Sequence, residues 1–182
     1  MTTPDPFPDV RWGGDSSRLR KPAAAFAATG LGSWLLRTAT PLDRKLLLRT
    51  RGRFTLLGPI GAPTLLLTTT GAKSGLPRVS PLLYWRDSGR LYVVGSNFGQ
   101  SKHPAWSGNL LKEPQAIVTI GGKDVPVRAT LLSGAERDRV WRAFEELAST
   151  YAAYRDRTER DIRVFALEAV SGATCVEAAG AA

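Results

Sequence analysis

A strand, a glycine-rich turn and a second strand between Leu65 and Tyr84 constrain this chain more than any other feature. The run begins with leucines and threonines, passes through Gly71-Ala-Lys-Ser-Gly75, and continues as a second apolar strand after Arg78. Such a turn presents backbone N–H groups to an anion, and Lys73 and Arg78 add two positive charges. The segment predicts a phosphate site held rigidly by its strands, against the alternative of a solvated hairpin tip with an incidental lysine.

A second glycine-containing loop follows the strand that begins near Arg90. It comprises Gly95, Ser96, Asn97, Phe98 and Gly99. Small residues and a hydroxyl at a strand end let a flat ring system approach the backbone closely, although an ordinary loop start has the same composition. Two such loops, separated by one hairpin, suggest a cofactor that is held at both ends.

Short β-branched or apolar segments, separated by Gly, Pro and Asp, dominate the later part of the chain. The predicted strands are 54–57, 64–70, 78–86, 90–96, 115–120, 125–132 and 162–170. The predicted helices are 22–37, 41–50, 104–112 and 135–149. Hairpin turns are expected at Asp87-Ser88-Gly89 and at Gly121-Gly122-Lys123-Asp124. This pattern predicts an α+β fold that is mainly β, with a small β-barrel and flanking helices.

Positive charge is concentrated in the first third of the chain. The 182 residues carry 25 Lys or Arg and 16 Asp or Glu, and residues 1–60 hold ten of the basic and four of the acidic ones. We predict a basic arm over residues 1–40, partly disordered or an amphipathic helix, and a cofactor-binding barrel over 41–182. The arm suits a membrane surface or an acidic ligand. No nucleic-acid partner is expected, because the basic residues are not interleaved with aromatic ones in a binding pattern.

The scarcity of cysteine and histidine limits the kinds of disulfide, metal and catalytic site that the chain can form. The single cysteine, Cys175, rules out an internal disulfide framework, and the single histidine, His103, argues against a histidine-based metal site or a Ser-His-Asp triad. No metal is therefore expected. The chain also has no apolar run long enough for a transmembrane helix. We expect a cytoplasmic protein, with peripheral contact of the basic arm at the inner membrane face.

Two tyrosines follow the last long predicted helix. Tyr151 and Tyr154 share one face if that helix continues, and three arginines follow closely. Phenols beside cations can donate a proton or stack on an aromatic substrate, whereas tyrosines at this spacing are also common in cores and surfaces. Earlier in the chain, Trp106 suits a pocket wall or the core, and Asn109 can hydrogen-bond a loop or a ligand.

Taken together, these motifs resemble the deazaflavin-dependent nitroreductase family of actinobacteria. The resemblance covers roughly residues 40–170 and rests on the order and spacing of several segments. These segments are Leu65–Arg78, Pro81-Leu82, Gly95-Ser-Asn-Phe-Gly99, His103-Pro-Ala-Trp106, Asn109-Leu110 and the Tyr151-Ala-Ala-Tyr154 tail. The resemblance implies a split β-barrel that binds coenzyme F-420, an 8-hydroxy-5-deazaflavin with an acidic tail.

The resemblance also implies roles for individual residues. Lys73, Ser74 and Arg78 would bind the phosphate, while Tyr151, Tyr154 and Trp106 would shape the substrate side. The remaining cofactor contacts would come from Pro81, Leu82, Leu83, Gly95, Ser96, Asn97, Phe98, Gly99 and Trp106. The reduced cofactor would deliver hydride from C5 to a quinone, nitroaromatic or enone. Ser96 or Tyr151 would hold or protonate that acceptor.

Several features separate this chain from some members of the family. Arg157 stands where a third tyrosine occurs, Arg163 follows Ile162 where a proline occurs, and Asn97 stands where a lysine occurs. These differences weaken any transfer of substrate specificity, but they leave Lys73 and Arg78 in place. An FMN-binding split-barrel oxidoreductase and a non-catalytic cofactor-binding or membrane-associated protein are the alternatives. A monomer or a homodimer is expected.

Overall fold

The computed structural model describes residues 5–8, 46–53, 63–147, 151, 154 and 158–170, with Phe98 described by its backbone only. Within these residues, six strands form a closed antiparallel barrel in the order β1-β2-β3-β6-β5-β4. The strands are β1 (Thr64–Thr70), β2 (Pro77–Asp87), β3 (Arg90–Val94), β4 (Gln115–Ile120), β5 (Lys123–Leu131) and β6 (Val164–Ala169). Two helices flank the barrel, α1 (Ala105–Lys112) and α2 (Gly134–Leu147). This architecture confirms the predicted split β-barrel with flanking helices.

Strand β2 changes partner along its length. Its residues up to Leu83 pair with β1, whereas those from Tyr84 onward pair with β3. The β2–β3 turn is formed by Ser88 and Gly89, with φ of 51° and 73°. Positive φ at both central residues is the geometry that matches the twist of a two-residue hairpin. The first glycine-rich loop therefore lies at one end of β2, and the strand leading to the second loop pairs with its other half.

Alternating side chains along the strands create two cores. One core fills the barrel, and it includes Leu65, Leu67, Val93, Val118, Val127, Phe165 and Leu167. The other lies outside the barrel under α2, and it includes Tyr92, Val94, Val140, Trp141, Phe144, Tyr151 and Ile162. Because successive residues of a strand point to opposite faces, adjacent residues such as Tyr92 and Val93 contribute to different cores. The two cores fix β3 and β6 from both sides.

A short segment near the N-terminus docks on the barrel. Phe7 is 3% exposed and belongs to the core inside the barrel. Arg86 on β2 forms an ion pair with Asp5 and donates hydrogen bonds to the carbonyl oxygens of Phe7 (2.9 Å) and Pro8 (3.4 Å). Residues 5–8, which fall within the predicted basic arm, are therefore a structural part of the barrel.

The observed elements match the predicted ones within two residues at each described end. Strand β3 stops at Val94 instead of residue 96, because Ser96 adopts helical backbone angles and Asn97 has a φ of 45°. The second hairpin turn consists of Gly121 and Gly122 alone, so the residues that follow open β5. The predicted strand 54–57, the helix 22–37 and the first half of the helix 41–50 lie outside the described residues. None of the described helices is both long and apolar enough to cross a membrane.

Candidate functional site

The β1–β2 loop is a compact turn that closes on itself. The N–H of Gly71 donates to the carbonyl of Leu76 at 2.9 Å, and the N–H of Gly75 donates to the carbonyl of Gly71 at 2.8 Å. A Cβ on Gly71 would lie 2.7 Å from Ser74 Oγ, 3.1 Å from the Leu76 carbonyl and 3.4 Å from Arg78 Cγ. Gly71 therefore allows the turn to close, and it allows the Arg78 side chain to pack against it. Gly75, with a φ of 67°, adopts a backbone conformation that favours glycine.

Asn109 on helix α1 anchors this loop through side-chain hydrogen bonds. Its Oδ1 accepts from the N–H of Ala72 at 2.9 Å, and its Nδ2 donates to Thr69 Oγ1 at 2.9 Å. Asn109 is 7% exposed, and its hydrogen bond to Thr69 is buried, whereas its bond to Ala72 is partly buried. One turn further along the helix, Lys112 Nζ donates to the Ala72 carbonyl at 2.6 Å. Lys112 was not among the predicted site residues, although its three-residue spacing from Asn109 places both on one helix face.

The outer surface of the loop can bind an anion. Lys73, Ser74 and Arg78 are exposed, and neither cation has an ion-pair partner among the described residues. Over the same described part of the chain, the amide N–H groups of Lys73 and Ser74 donate no hydrogen bond. Two cations and two free amide donors on a rigid turn are the donor set that a phosphate group requires. The loop therefore fits the phosphate of a deazaflavin or of FMN.

The second loop turns sharply after β3. Ser96 is 9% exposed and precedes a 3-10 turn over Asn97–Gly99. Asn97 Nδ2 donates to the Lys102 carbonyl at 2.9 Å. The Asn97 side chain therefore stabilises its own loop. A Cβ on Gly95 would lie 3.4 Å from the Arg163 carbonyl, which explains the small residue there. The Phe98 side chain lies outside the described atoms.

Ser96 and Tyr151, the two predicted catalytic residues, lie next to each other. Burial raises the pKa of the Tyr151 phenol well above its ordinary value of 10.0, the nearby Tyr154 raises it further, and the neighbouring Ser96 hydroxyl opposes both. The Tyr151 and Tyr154 rings meet edge to face, with centroids 5.5 Å apart. The structure thus brings a buried hydroxyl and two phenols together, and Tyr151 remains protonated at neutral pH.

The other predicted contacts lie on different faces of the barrel. Leu82 packs against the core inside the barrel, whereas Leu83 packs against the core under α2. Their side chains therefore line opposite faces of β2, with Pro81 on the same side as Leu83. Trp106 is buried against Phe165, with ring centroids 5.8 Å apart.

Helix α1 links the two loops. Its first residue, Ala105, follows the second loop, and Asn109 near its other end holds the first loop. At about 1.5 Å per residue, Ala105 and Asn109 are separated along the helix by about 6 Å.

Comparisons with known proteins agree on one family. The sequence model of the F420H(2)-dependent quinone reductase family matches residues 35–169. An F420H(2)-dependent quinone reductase of Mycobacterium tuberculosis is 36% identical over 121 residues, which are 65% of this chain and 81% of the relative.

Two solved structures extend the comparison. The structure of an F420-H2-dependent reductase is 40% identical, with a TM-score of 0.54, and the match covers 58% of this chain and 94% of that one. A structure described as a domain-swapped dimer is 36% identical, with a TM-score of 0.56, and the match covers 71% of this chain and 98% of that one. The resemblance to deazaflavin-dependent reductases is confirmed, and the family name implies coenzyme F-420, with FMN as the alternative. This chain belongs to the F420H(2)-dependent quinone reductase family.

Proposed function

We propose that this protein catalyses the two-electron reduction of a quinone, with reduced coenzyme F-420 as the electron donor. The observation that carries the proposal is the β1–β2 loop. Lys73 and Arg78 are exposed there without an ion-pair partner among the described residues, and Asn109 holds the loop in place. Membership of the family supports the identity of the cofactor and of the acceptor class.

The two loops bind different parts of the cofactor. Lys73, Ser74 and Arg78 bind the phosphate through charge and free amide donors. The backbone from Gly95 to Gly99 receives the ring, with Pro81 and Leu83 as further contacts on one face of β2, whereas Leu82 and Trp106 pack in the core inside the barrel. When bound, the reduced cofactor supplies a hydride from C5 to the acceptor.

The pair formed by Ser96 and Tyr151 supplies a proton to the acceptor. A quinone that gains a hydride becomes a hydroquinone anion, and one added proton completes the hydroquinone. The Tyr151 phenol is protonated at neutral pH, so it can donate that proton or hold the acceptor oxygen by a hydrogen bond, and its raised pKa favours the second role. If Tyr151 donates its proton, the neighbouring Ser96 hydroxyl can return one to it from solvent. The Tyr154 ring contacts the Tyr151 ring and adds a second aromatic side chain on the acceptor side.

Nitroaromatics and enones are further candidate acceptors, because they share a planar, electron-poor system with quinones. Contact of the basic arm with a membrane surface is also part of the proposal. Its support is the positive charge of positions 1–60, where residues 1–40 hold five basic and three acidic residues and residues 41–60 hold five and one. A homodimer is the proposed alternative to a monomer, since a solved relative is a domain-swapped dimer.

The proposal is tested by titrating the protein with coenzyme F-420 and, separately, with FMN at low salt. Lys73→Ala and Arg78→Ala are compared with Lys123→Ala and Arg142→Ala, which remove exposed charges from the β4–β5 hairpin and from α2. A hydrogen bond to a charged group contributes about 1.5 kcal/mol or more, so each site variant is expected to raise the Kd about tenfold. The controls are expected to bind like the wild type.

The other possible results of this titration lead to different conclusions. Selective binding of FMN would move the protein to the FMN-dependent oxidoreductases. Binding of neither cofactor would favour a non-catalytic role. Equal affinity in the site variants and the controls would refute the loop as the phosphate anchor.

A further inference from the structure

The guanidinium of Arg160 is the centre of a hydrogen-bond cluster that the proposed reaction does not use. Nη2 donates to the carbonyls of Gly95 (3.1 Å) and Ser96 (2.6 Å). Nε donates to the carbonyl of Gln100 at 2.8 Å, and Nη1 lies 3.2 Å from Nδ1 of His103. One side chain therefore contacts both ends of the second loop.

The partners of Arg160 are what make this cluster informative. An arginine is normally paired with a carboxylate, but over the described residues Arg160 forms no ion pair and uses backbone carbonyls and a ring nitrogen. Its N–H groups form a rigid planar fork, so four simultaneous contacts fix the relative positions of the groups that accept them. The fork thereby fixes the backbone at Ser96, whose hydroxyl contacts Tyr151.

The contact with His103 requires one particular form of the imidazole. Arginine stays protonated at every accessible pH and has no acceptor, so Nδ1 of His103 must be the acceptor. The ring is then neutral and carries its proton on Nε2. A proton on Nδ1 would set two donors against each other, and protonation of both ring nitrogens would in addition set two positive charges against each other.

We propose that Arg160 and His103 act together as positioning residues that hold the second loop, and with it the Ser96 hydroxyl, in the geometry needed for reduction of the acceptor. The inference rests on the proposed function, because it assigns the loop to the reaction. It adds a requirement that the family comparison does not contain: His103 must be neutral.

The electrostatic surroundings of His103 agree with this requirement. Desolvation lowers the pKa of His103 below its ordinary 6.5, and the positive charges of Arg163 and Arg160 lower it further, whereas Asp161 opposes them. Lys102, the preceding residue, adds another positive charge to the same loop. A lowered histidine pKa means that the contact is intact above pH 6.5 and is lost as the pH falls through the folded-state value.

The first test measures the contact between Arg160 and His103 in protein without cofactor. His103 is the only histidine in the chain, so in untagged protein the NMR signals of its ring nitrogens are unambiguous. We expect the Nε2–H tautomer and a titration midpoint below 6.5, and we expect Arg160→Gln to raise that midpoint because a positive charge is removed. An Nδ1–H tautomer, or a midpoint unchanged by Arg160→Gln, would overturn the proposal.

The second test measures how the contact between Arg160 and His103 affects the rate of quinone reduction. Turnover with reduced coenzyme F-420 and a quinone is measured from about pH 5 to about pH 8 for the wild type, Arg160→Lys, His103→Asn and Arg137→Lys. Asparagine can accept through Oδ1 where His103 accepts through Nδ1, but it does not titrate. Arg137→Lys is the matched control, because Arg137 contacts Asp161 and the Ile162 carbonyl beside the cluster but not the second loop.

We expect Arg160→Lys to lower kcat about tenfold at neutral pH, since small misplacements of a reacting group are costly, while the control stays near the wild type. We expect the wild type to lose kcat on the acid side of pH 6.5, and His103→Asn to keep kcat there. An acid loss that persists in His103→Asn, or equal effects of Arg160→Lys and Arg137→Lys, would overturn the positioning role. Absence of any wild-type turnover would instead refute the proposed function, and the NMR result would then stand by itself.

Discussion

Replacing Asn109 with alanine removes the side chain that connects helix α1 to the β1–β2 loop, the proposed phosphate site. The variant loses a partly buried hydrogen bond from the Ala72 N–H and a buried one to Thr69 Oγ1, both at 2.9 Å. At about 1 kcal/mol each, the free energy of unfolding is expected to fall by about 2 kcal/mol. For a chain of this length the Tm is expected to fall by about 4 to 8 °C.

The functional effect of Asn109→Ala is separated from its effect on stability by a companion variant. Thr69→Val removes the partner of Nδ2 but leaves the Ala72 N–H bonded to Asn109. Urea denaturation is expected to give a loss of about 1 kcal/mol for Thr69→Val. Titration with coenzyme F-420 is expected to give a raised Kd for Asn109→Ala and a nearly normal Kd for Thr69→Val. A stability loss in Asn109→Ala without any change in Kd would refute the argument that this anchor serves the cofactor.

Three further predictions follow from the geometry. Phe7→Ala empties a buried site in the barrel core and is expected to destabilise the protein by about 3 kcal/mol or more; an unchanged urea midpoint would show that residues 5–8 do not dock. Tyr151→Phe is expected to lower kcat by about a hundredfold or less, with little change in cofactor Kd. The pKa of Tyr151 is raised in the folded protein, so the neutral phenol stabilises the fold below pH 10.0, and this contribution is lost as the pH rises above that value. If the stability of Tyr151→Phe depended on pH in the same way as that of the wild type, this argument would be contradicted. Gly71→Ala is expected to unfold more easily than the wild type, because the new Cβ meets Ser74 Oγ and the Leu76 carbonyl. Gly108→Ala, which meets nothing within 4 Å in helix α1, is expected to gain about 0.5 to 1 kcal/mol; equal midpoints for the two variants would contradict the steric argument.

Much of the barrel could be predicted from the sequence, because its strands and turns depend on local patterns. Strands β1 and β4 begin and end at the predicted residues, since apolar β-branched runs there are bounded by Gly and Pro. The loop around Lys73 was also recognisable, because its glycines and cations are contiguous. The roles of Ser96 and Tyr151 came from a family resemblance, and they remain predictions.

The contacts that hold the loops could not be predicted in the same way. Asn109 lies 37 residues from Ala72, and Arg160 lies 64 residues from Ser96. The docking of Phe7 depends on Arg86, which is 79 residues away. Hydrogen bonds over such separations leave no local pattern, since an arginine in a polar stretch has the same sequence signature whether it faces solvent or a backbone carbonyl. Tertiary structure alone reveals these partners.

Oxidation of reduced coenzyme F-420 by a simple naphthoquinone, followed at the absorbance of the deazaflavin ring, tests the central claim most directly. Wild-type protein is expected to give saturable turnover, with one quinone reduced for each cofactor oxidised. Lys73→Ala and Arg78→Ala are expected to require more cofactor for half-maximal rate, and Lys123→Ala is expected to behave like the wild type. Tight binding of the cofactor without its oxidation by any quinone, nitroaromatic or enone would contradict the claim that this barrel is a reductase.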